Sequence, residues 1–354
     1  MSFELKSLLA DALKARASDV HVVAGMKPLF RVNSLLQRAE GYPVATQRDV
    51  EQFVRETAGE KRFTTLMASR DVDFSLQLEG MRRFRINAHV QRNTIAMVFH
   101  VIPDCIPSLE ELRLPAVVRS LVDLRSGLVL VTGQTGDGKS TTLAAMVDAM
   151  NQKYAHHVIT LEDPIEYDFR SHNCLIEQRE VGRDVLSFAQ GLRNALRQDP
   201  DVIMVGEMRD LETTSAAITA AETGHLVLSS LHTQSAPQTI ERIVDIYPGN
   251  QQNLIRAVLA NTLEAVISQG LFDRTDGTGM IPAVGVMICT PAIRTCIRED
   301  RIHQIPNIIQ TSRDEGMCTF EDSMMELFMN GHITREQMMS RCSRPERLSM
   351  ALTA

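Results

Sequence analysis

The segment Gly133-Gln134-Thr135-Gly136-Asp137-Gly138-Lys139-Ser140 fits the pattern G-x-x-x-x-G-K-[ST] at every fixed position. An apolar run, Leu128–Val131, leads into it, and Leu143, Met146, Val147 and Met150 follow at helical spacing. A strand, a glycine-rich loop and a helix in this order suit polyphosphate chemistry. The glycines let the backbone curl so that its N–H groups point inward at phosphate oxygens. The helix N-terminus adds partial positive charge. Lys139 is placed to reach β- and γ-phosphates, and the Ser140 hydroxyl to ligate Mg²⁺. Gly133, Thr135, Gly136, Gly138, Lys139, Ser140 and Thr141 are therefore the expected nucleotide-binding residues. Asp137 sits oddly among them. A carboxylate beside a polyphosphate is unfavourable, so its side chain is expected to face solvent.

Hydrolysis of such a substrate needs a carboxylate to orient water, and acids or waters around the metal. Three further segments place chemistry-bearing residues at the ends of β-like runs, where ligands bind in open parallel sheets. These are Ile159-Thr-Leu-Glu162-Asp163-Pro164, Asp199-Pro-Asp201-Val-Ile-Met-Val-Gly206-Glu207 and Gly224-His225-Leu-Val-Leu-Ser-Ser-Leu-His232-Thr233. Glu207 and Glu162 are the candidate acids, although a strand-end acid often only caps the next helix. His225 and His232 flank one run. Either suits a structural role, and His232 also meets the need for a γ-phosphate sensor. Arginines often stabilise the transferring phosphoryl group, commonly from a neighbouring subunit. Arg83 and Arg85 share one face of an alternating run, Arg193 and Arg197 share a helix face, and Arg209 follows Glu207. A solvated charged face is the plainer reading of each.

The elements that must position these groups are legible in outline. The first hundred residues read as a small α/β domain. Phe3–Ala15 has helical spacing, Val20–Val23 and Leu29–Val32 are β-like, and a helix is expected near Gln47–Thr57. Val72–Leu78 and Arg83–Val90 alternate as strands with Gly80 at the turn between them. Pro103, Pro107 and Pro115 mark 102–115 as a linker. The expected organisation is 1–101, the linker 102–115, and a second domain 116–354. In the second domain the runs Leu128–Val131, Val158–Leu161, Val202–Val205, Leu226–Leu231 and Ala283–Ile288 alternate with helical stretches. That pattern implies a mainly parallel sheet covered on both faces. Glu321–Phe328 and Arg335–Met339 close the chain as helical material.

The composition of the 354 residues is that of an ordinary globular protein, 44% hydrophobic and 23% charged. A net charge of −7 argues against general nucleic-acid binding, which draws on a basic surface. No apolar run approaches the roughly 20 residues a bilayer needs. The N-terminal stretch carries acids and no long apolar core, so it does not read as a secretory signal. A cytoplasmic location is expected. Cysteines 105, 174, 289, 296, 318 and 342 form no Cys-x-x-Cys pair, which suggests scattered reduced core thiols rather than a zinc site.

Taken together, these motifs resemble the secretion-type hexameric ATPases, and among them the pilus-retraction ATPases. Ala17-Ser18-Asp19-Val20-His21 is similar to the family's A-S-D-x-H signature, and Arg83-Phe84-Arg85-Ile86-Asn87 to its R-F-R-x-N strand. The loop 133–140 corresponds to its Walker A, Ile159–Glu166 to its Asp box, Leu196–Asp210 to its Walker B region and Thr223–Arg242 to its His box. Ala292-Ile-Arg-Thr-Cys-Ile-Arg-Glu299 resembles the A-I-R-N-L-I-R-E motif associated with retraction motors. In this segment Ile293 and Ile297 are expected to pack one helical face and Arg294 and Arg298 to line another, as on an amphipathic surface helix.

The resemblance implies a PAS-like N-terminal domain, a RecA-like ATPase domain, and a homohexameric ring with ATP and Mg²⁺ bound between the domains. It implies that Glu207 is the catalytic glutamate, that Glu162 and His232 belong to the site, and that Arg83 or Arg85 reaches in. The function implied is pilus retraction and twitching motility. The protein would act at the cytoplasmic face of the inner membrane on a pilus platform protein, touching the membrane only through partners.

Three features depart from the family pattern. Gln134 and Asp137 stand where Pro and Ser are usual. Gly206 rather than Asp precedes the Walker B acid, which is common in this family but not in P-loop enzymes generally. Thr295-Cys296 replaces Asn-Leu. An accessory retraction paralogue, or a related type IV secretion or pilus-assembly ATPase, is the nearest alternative. Extension motors typically carry an extra N-terminal domain and a four-cysteine zinc site, and neither is expected here. A nucleotide-switched scaffold without turnover is the alternative from another class.

Overall fold

The computed structural model describes residues 4–32, 35–78, 80–103 and 105–342. Phe3, at the start of the expected first helix, and the stretch beyond 342 lie outside them. The chain divides into two compact units. One runs through Cys105 and takes in Pro164–Asp168; the other comprises Ile106–Asp163 and the residues from Phe169 onward.

The first unit contains α1 (Leu5–Lys14), β1 (Asp19–Val23), β2 (Leu29–Val32), β3 (Leu35–Arg38), α2 (Gln47–Ser69), β4 (Asp71–Gln77), β5 (Arg83–Gln91) and β6 (Thr94–Val101). Its six strands form one antiparallel sheet in the order β3-β2-β1-β6-β5-β4. Along β5 the period-2 alternation is clean: Phe84 and Ile86 are fully buried, while Arg83 and Arg85 share the opposite, half-buried face. Helix α2 begins at a capping box made by Thr46 and Asp49 and runs past the expected end at Thr57. Gly59 interrupts it with a left-handed φ of 75°. A core of Leu8, Leu9, Phe53, Phe74, Phe84, Phe99 and their neighbours closes the unit.

The second unit contains α3 (Ala116–Ser120), β7 (Gly127–Thr132), α4 (Lys139–Lys153), β8 (His157–Glu162), β9 (Leu175–Glu180), α5 (Phe188–Ala195), β10 (Val202–Val205), α6 (Leu211–Glu222) and β11 (Leu226–Leu231). It continues with α7 (Ala236–Asp245), α8 (Gln252–Thr262), β12 (Leu263–Asp273), β13 (Met280–Ile288), α9 (Pro291–Arg298), α10 (Ile305–Thr311), α11 (Phe320–Met329) and α12 (Arg335–Arg341). The seven-stranded sheet has the order β13-β12-β7-β11-β10-β8-β9. All neighbours are parallel except β12 and β13, which pair antiparallel, so the apolar run 283–288 is an antiparallel edge strand. Every residue of β7, β10 and β11 is buried, as a sheet covered on both faces requires.

All six cysteines are free. Burial pushes the Cys289 thiol up to about 12, which makes it chemically quiet. Cys105 is exposed, so the expectation of core thiols does not extend to it. Among the described residues no helix is long and apolar enough to cross a membrane.

Candidate functional site

The centre of the sheet delivers its carboxyl ends to one edge. Thr132 of β7 is in register with Leu231 of β11, and Val205 of β10 pairs with both Ser229 of β11 and Leu161 of β8. The phosphate loop, His232, Glu207 and Glu162 therefore all leave the same end of neighbouring strands, in the arrangement that makes a ligand crevice in parallel sheets. His225 precedes β11 at the opposite end. Its Nδ1 lies 3.0 Å from the Ala220 carbonyl and 3.2 Å from Thr223 Oγ1, so it serves the turn after α6.

The loop is shaped by residues without side chains. The Gly133 N–H donates to the Leu231 carbonyl at 3.3 Å, and a Cβ on Gly133 would sit 2.4 Å from the Gln269 carbonyl oxygen. Gly138 takes a left-handed φ of 79° to turn the loop into α4. Thr135 and Gly136 form the exposed crown, and Ser140 and Thr141 are half-buried on the first helical turn. Lys139 is only 8% exposed, and its Nζ donates back to the Gln134 carbonyl at 2.9 Å. The loop thus wraps its own ammonium. A buried cation at a helix N-terminus beside glycine-shaped backbone fits a polyphosphate, and the half-buried Ser140 hydroxyl is the oxygen donor on this turn that suits a divalent cation accompanying it.

Lys139 Nζ lies 3.5 Å from His232 Nδ1, and His232 Nε2 lies 3.2 Å from Glu207 Oε2. A carboxylate only accepts and an ammonium only donates, so this chain selects the His232 tautomer with its proton on Nε2. Glu207 is fixed from behind. Met208 N–H donates to the Ser230 carbonyl at 3.1 Å, and Ser230 Oγ donates to the Gly206 carbonyl at 2.6 Å. Arg209 Nε meets Glu207 Oε1 at 2.5 Å from an otherwise exposed position. Asp210 has a separate task, capping α6 through Thr213 N–H.

Glu162 is buried at the end of β8. Its Oε1 accepts from Thr160 Oγ1 at 2.7 Å and from Gln178 Nε2 at 3.0 Å. Gln178 was invisible as a partner because it lies on β9, a strand without an apolar signature. Arg193 is exposed and lies 3.5 Å from Glu212, and Arg197 bonds Asn194 on its own helix end. Both fit a solvated face. Arg83 and Arg85 belong to the first unit, where Arg83 Nη2 donates to Ser75 Oγ at 2.9 Å and Arg85 Nη1 lies 3.9 Å from Glu166 Oε1.

Two expectations are corrected. Asp137 does not face solvent: it is buried, with its carboxylate folded back toward β12. Oδ2 accepts from Gln134 N–H at 2.6 Å, Oδ1 accepts from Leu271 N–H at 3.3 Å, and Arg341 Nη1 donates to both oxygens at 3.0 Å. Turning inward to these donors removes the acid from the open side of the loop at no cost in unpaired charge. Arg294 does not line an open face of α9. Its guanidinium caps the end of α8, donating to the carbonyls of Ala260, Asn261 and Leu263 and to Glu264 Oε2.

Residues 107–332 match the family described as Type II/IV secretion system protein. The chain is 44% identical over 343 residues to the type IV pilus retractation ATPase PilT of Pseudomonas aeruginosa, covering 97% of this chain and 99% of that one. It is 40% identical over 349 residues to the twitching motility protein of Neisseria gonorrhoeae, covering 99% and 93% respectively. The crystal structure of the pilus retraction motor PilT with bound ADP aligns with a TM-score of 0.92 at 40% identity, over 98% of this chain and 99% of that one. Similar to these proteins along nearly its whole length, the chain belongs to the type II/IV secretion system protein family and, within it, to the PilT family.

Proposed function

We propose that this protein is an ATP-hydrolysing ring motor that powers retraction of type IV pili. The observation that carries hydrolysis is the continuous array of Lys139, His232 and Glu207 at the carboxyl edge of the sheet. The retraction assignment follows the retraction ATPases that the chain matches so fully. In this reading the loop 133–141 binds the phosphates of ATP, Lys139 offsets their charge, and Glu207 orients the attacking water. His232 holds the Glu207 carboxylate and links it to the nucleotide side. Ser140 would hold a Mg²⁺ brought with the nucleotide, and the ion would supply neutralisation of charge on the phosphoryl group. Glu162 on β8, with Gln178 of the neighbouring β9, forms the next polar layer outward.

A strain lacking this protein should keep its surface pili, or accumulate them, and lose twitching. Counting pili by electron microscopy beside a motility assay checks this. A strain that makes no pili at all overturns the retraction reading in favour of assembly.

We further propose a homohexamer acting at the cytoplasmic face of the inner membrane on a pilus platform protein, with active sites shared between subunits. Its basis is that Arg83 and Arg85 lie on one face of β5, in a different unit from the phosphate loop. Subunits carrying Arg85→Ala and subunits carrying Lys139→Ala should each form inactive rings. Mixed rings should regain hydrolysis, because some interfaces then pair an intact arginine with an intact loop. Native mass spectrometry reports mixing. Mixed rings that form and stay inactive place the arginine in its own subunit's site or in a structural role.

A further inference from the structure

An acid inside a phosphate loop needs a compensating charge, and among the described residues its ion pair is with an arginine from far along the chain. Arg341 ends α12, a helix started by a capping box of Thr334 and Gln337. Gln337 Nε2 donates to the Asp273 carbonyl at 2.9 Å, and Met338 is fully buried with Phe272, Ile281, Ala283 and Met324. The helix is thereby fastened to the outer strands β12 and β13. From there the Arg341 guanidinium passes over the Phe272 ring, 5.7 Å from its centroid, and reaches Asp137. Gly270 makes the passage possible: a Cβ there would meet the Phe320 ring at 2.9 Å and Arg341 Nη1 at 3.4 Å.

The same strand grips the loop at two more points. Gln269 Nε2 donates to the Asp137 carbonyl, and Gln269 Oε1 accepts from Thr142 Oγ1 at 2.9 Å. Leu271 N–H donates to the Asp137 carboxylate.

We propose that Arg341 is a positioning residue of the nucleotide site, holding the phosphate loop in its anion-accepting shape by neutralising Asp137 from the C-terminal helix. The proposal rests on the reading of 133–141 as the nucleotide site. Unpaired, the Asp137 carboxylate would be a buried negative charge in a loop whose backbone must receive a polyphosphate. The protein relieves that state by swinging the carboxylate toward water and the incoming anion, at the expense of nucleotide affinity. With Arg341 in place the loop keeps the Asp137 carboxylate turned away from the side that offers its backbone N–H groups and the Lys139 ammonium. Coupling is reciprocal, so bound nucleotide must tighten α12 by the same factor.

The test compares Arg341→Ala, Arg341→Lys, Asp137→Ser and the double variant Arg341→Ala/Asp137→Ser in the full chain, with thermal melting and ring size as folding controls. Kd for a fluorescent ADP analogue and steady-state KM and kcat for MgATP are measured for each. Arg341→Ala should raise Kd and KM by roughly 10–100-fold, with kcat within about threefold, because one uncompensated like charge opposes anion binding. Arg341→Lys should fall between, keeping the charge without the planar fork. The double variant should return KM to within about threefold of the parent, since removing the acid removes the need for its partner. Hydrogen exchange of 335–342 should slow on adding ADP in the parent and respond less in Asp137→Ser.

If Arg341 only anchors α12, the double variant stays as impaired as Arg341→Ala, and the proposal fails. An Arg341→Ala protein with parental KM overturns it as well. Should Arg341→Ala not fold, Arg341→Lys and the double variant carry the comparison. A parent protein that binds no ADP overturns the nucleotide-site reading instead, a result distinguishable from either of these.

Discussion

Replacing Lys139 by alanine is expected to reduce ATP hydrolysis to background, a loss of about 10³-fold or more on the scale that charge-stabilising groups contribute to phosphoryl transfer. The size follows from where the ammonium is. At 8% exposure it is mostly desolvated, and an electrostatic contact made away from water is worth far more than one on the surface. Its Nζ is held by the Gln134 carbonyl inside the loop and faces His232, so no neighbouring cation can take its place without rebuilding the loop. Lys139→Arg should fail too. The planar fork is too large for a pocket that encloses a single compact ammonium. Both variants should melt near the parent temperature, because the helix α4 retains its buried face of Leu143, Met146, Val147 and Met150. Phosphate release measured at saturating MgATP decides the matter. Parental turnover in Lys139→Ala would remove the loop from the mechanism altogether.

How much of this was legible beforehand depends on how local the determinants are. β7, β10 and β11 are short runs of uninterrupted apolar residues because both faces are covered, and such runs announce themselves. β12 does not, since Ser268, Gln269 and Gly270 break its apolar run. These three serve the neighbouring site: Ser268 Oγ accepts from Thr132 Oγ1 at 3.0 Å, Gln269 clamps the phosphate loop, and Gly270 leaves room for Arg341. β9, with the sequence Leu-Ile-Glu-Gln-Arg-Glu, is an edge strand with only two apolar residues, followed by Glu177, Gln178, Arg179 and Glu180, and so it reads as a loop. The hairpin between β5 and β6 turns on Arg92 and Asn93, both with left-handed φ and neither a glycine, so the usual turn signal is missing.

The site followed the same rule. Glu207 and His232 are strand-end residues whose meeting is dictated by parallel register, and that register is implied by the pattern of strands. The orientation of Asp137 is not. It is decided by a guanidinium 204 positions away in sequence, and local electrostatics alone pointed it the wrong way. Arg294 shows the converse: a charged residue at a helical-face position reads as exposed until the end of another helix is seen to need it.

Glu207→Gln should bind ATP with nearly parental affinity and hydrolyse it about 10²–10⁴-fold more slowly, the range over which a positioned general base contributes. The two properties separate because they reside on different strands. Binding belongs to β7, the loop and α4, whereas Glu207 arrives from β10 and makes none of the loop's hydrogen bonds described here. The substitution is nearly isosteric. The carbonyl oxygen of the introduced amide can still accept from His232 Nε2–H, so the Lys139–His232 contact survives while the carboxylate charge is lost. What disappears is the ability to polarise water. The pair with Arg209 disappears as well, but Arg209 is largely exposed, and pairs with such a partner contribute little, about 0–1 kcal/mol. Arg209→Ala is therefore the control that should leave turnover within a few-fold of the parent. Equilibrium binding of a fluorescent ATP analogue, set beside single-turnover hydrolysis, separates the outcomes. Slow hydrolysis with intact binding assigns the water-activating role to Glu207. Loss of binding together with turnover makes Glu207 a support for the loop acting through His232, and the water would then have to be oriented by another group at this edge of the sheet, with Glu162 on β8 the next to substitute.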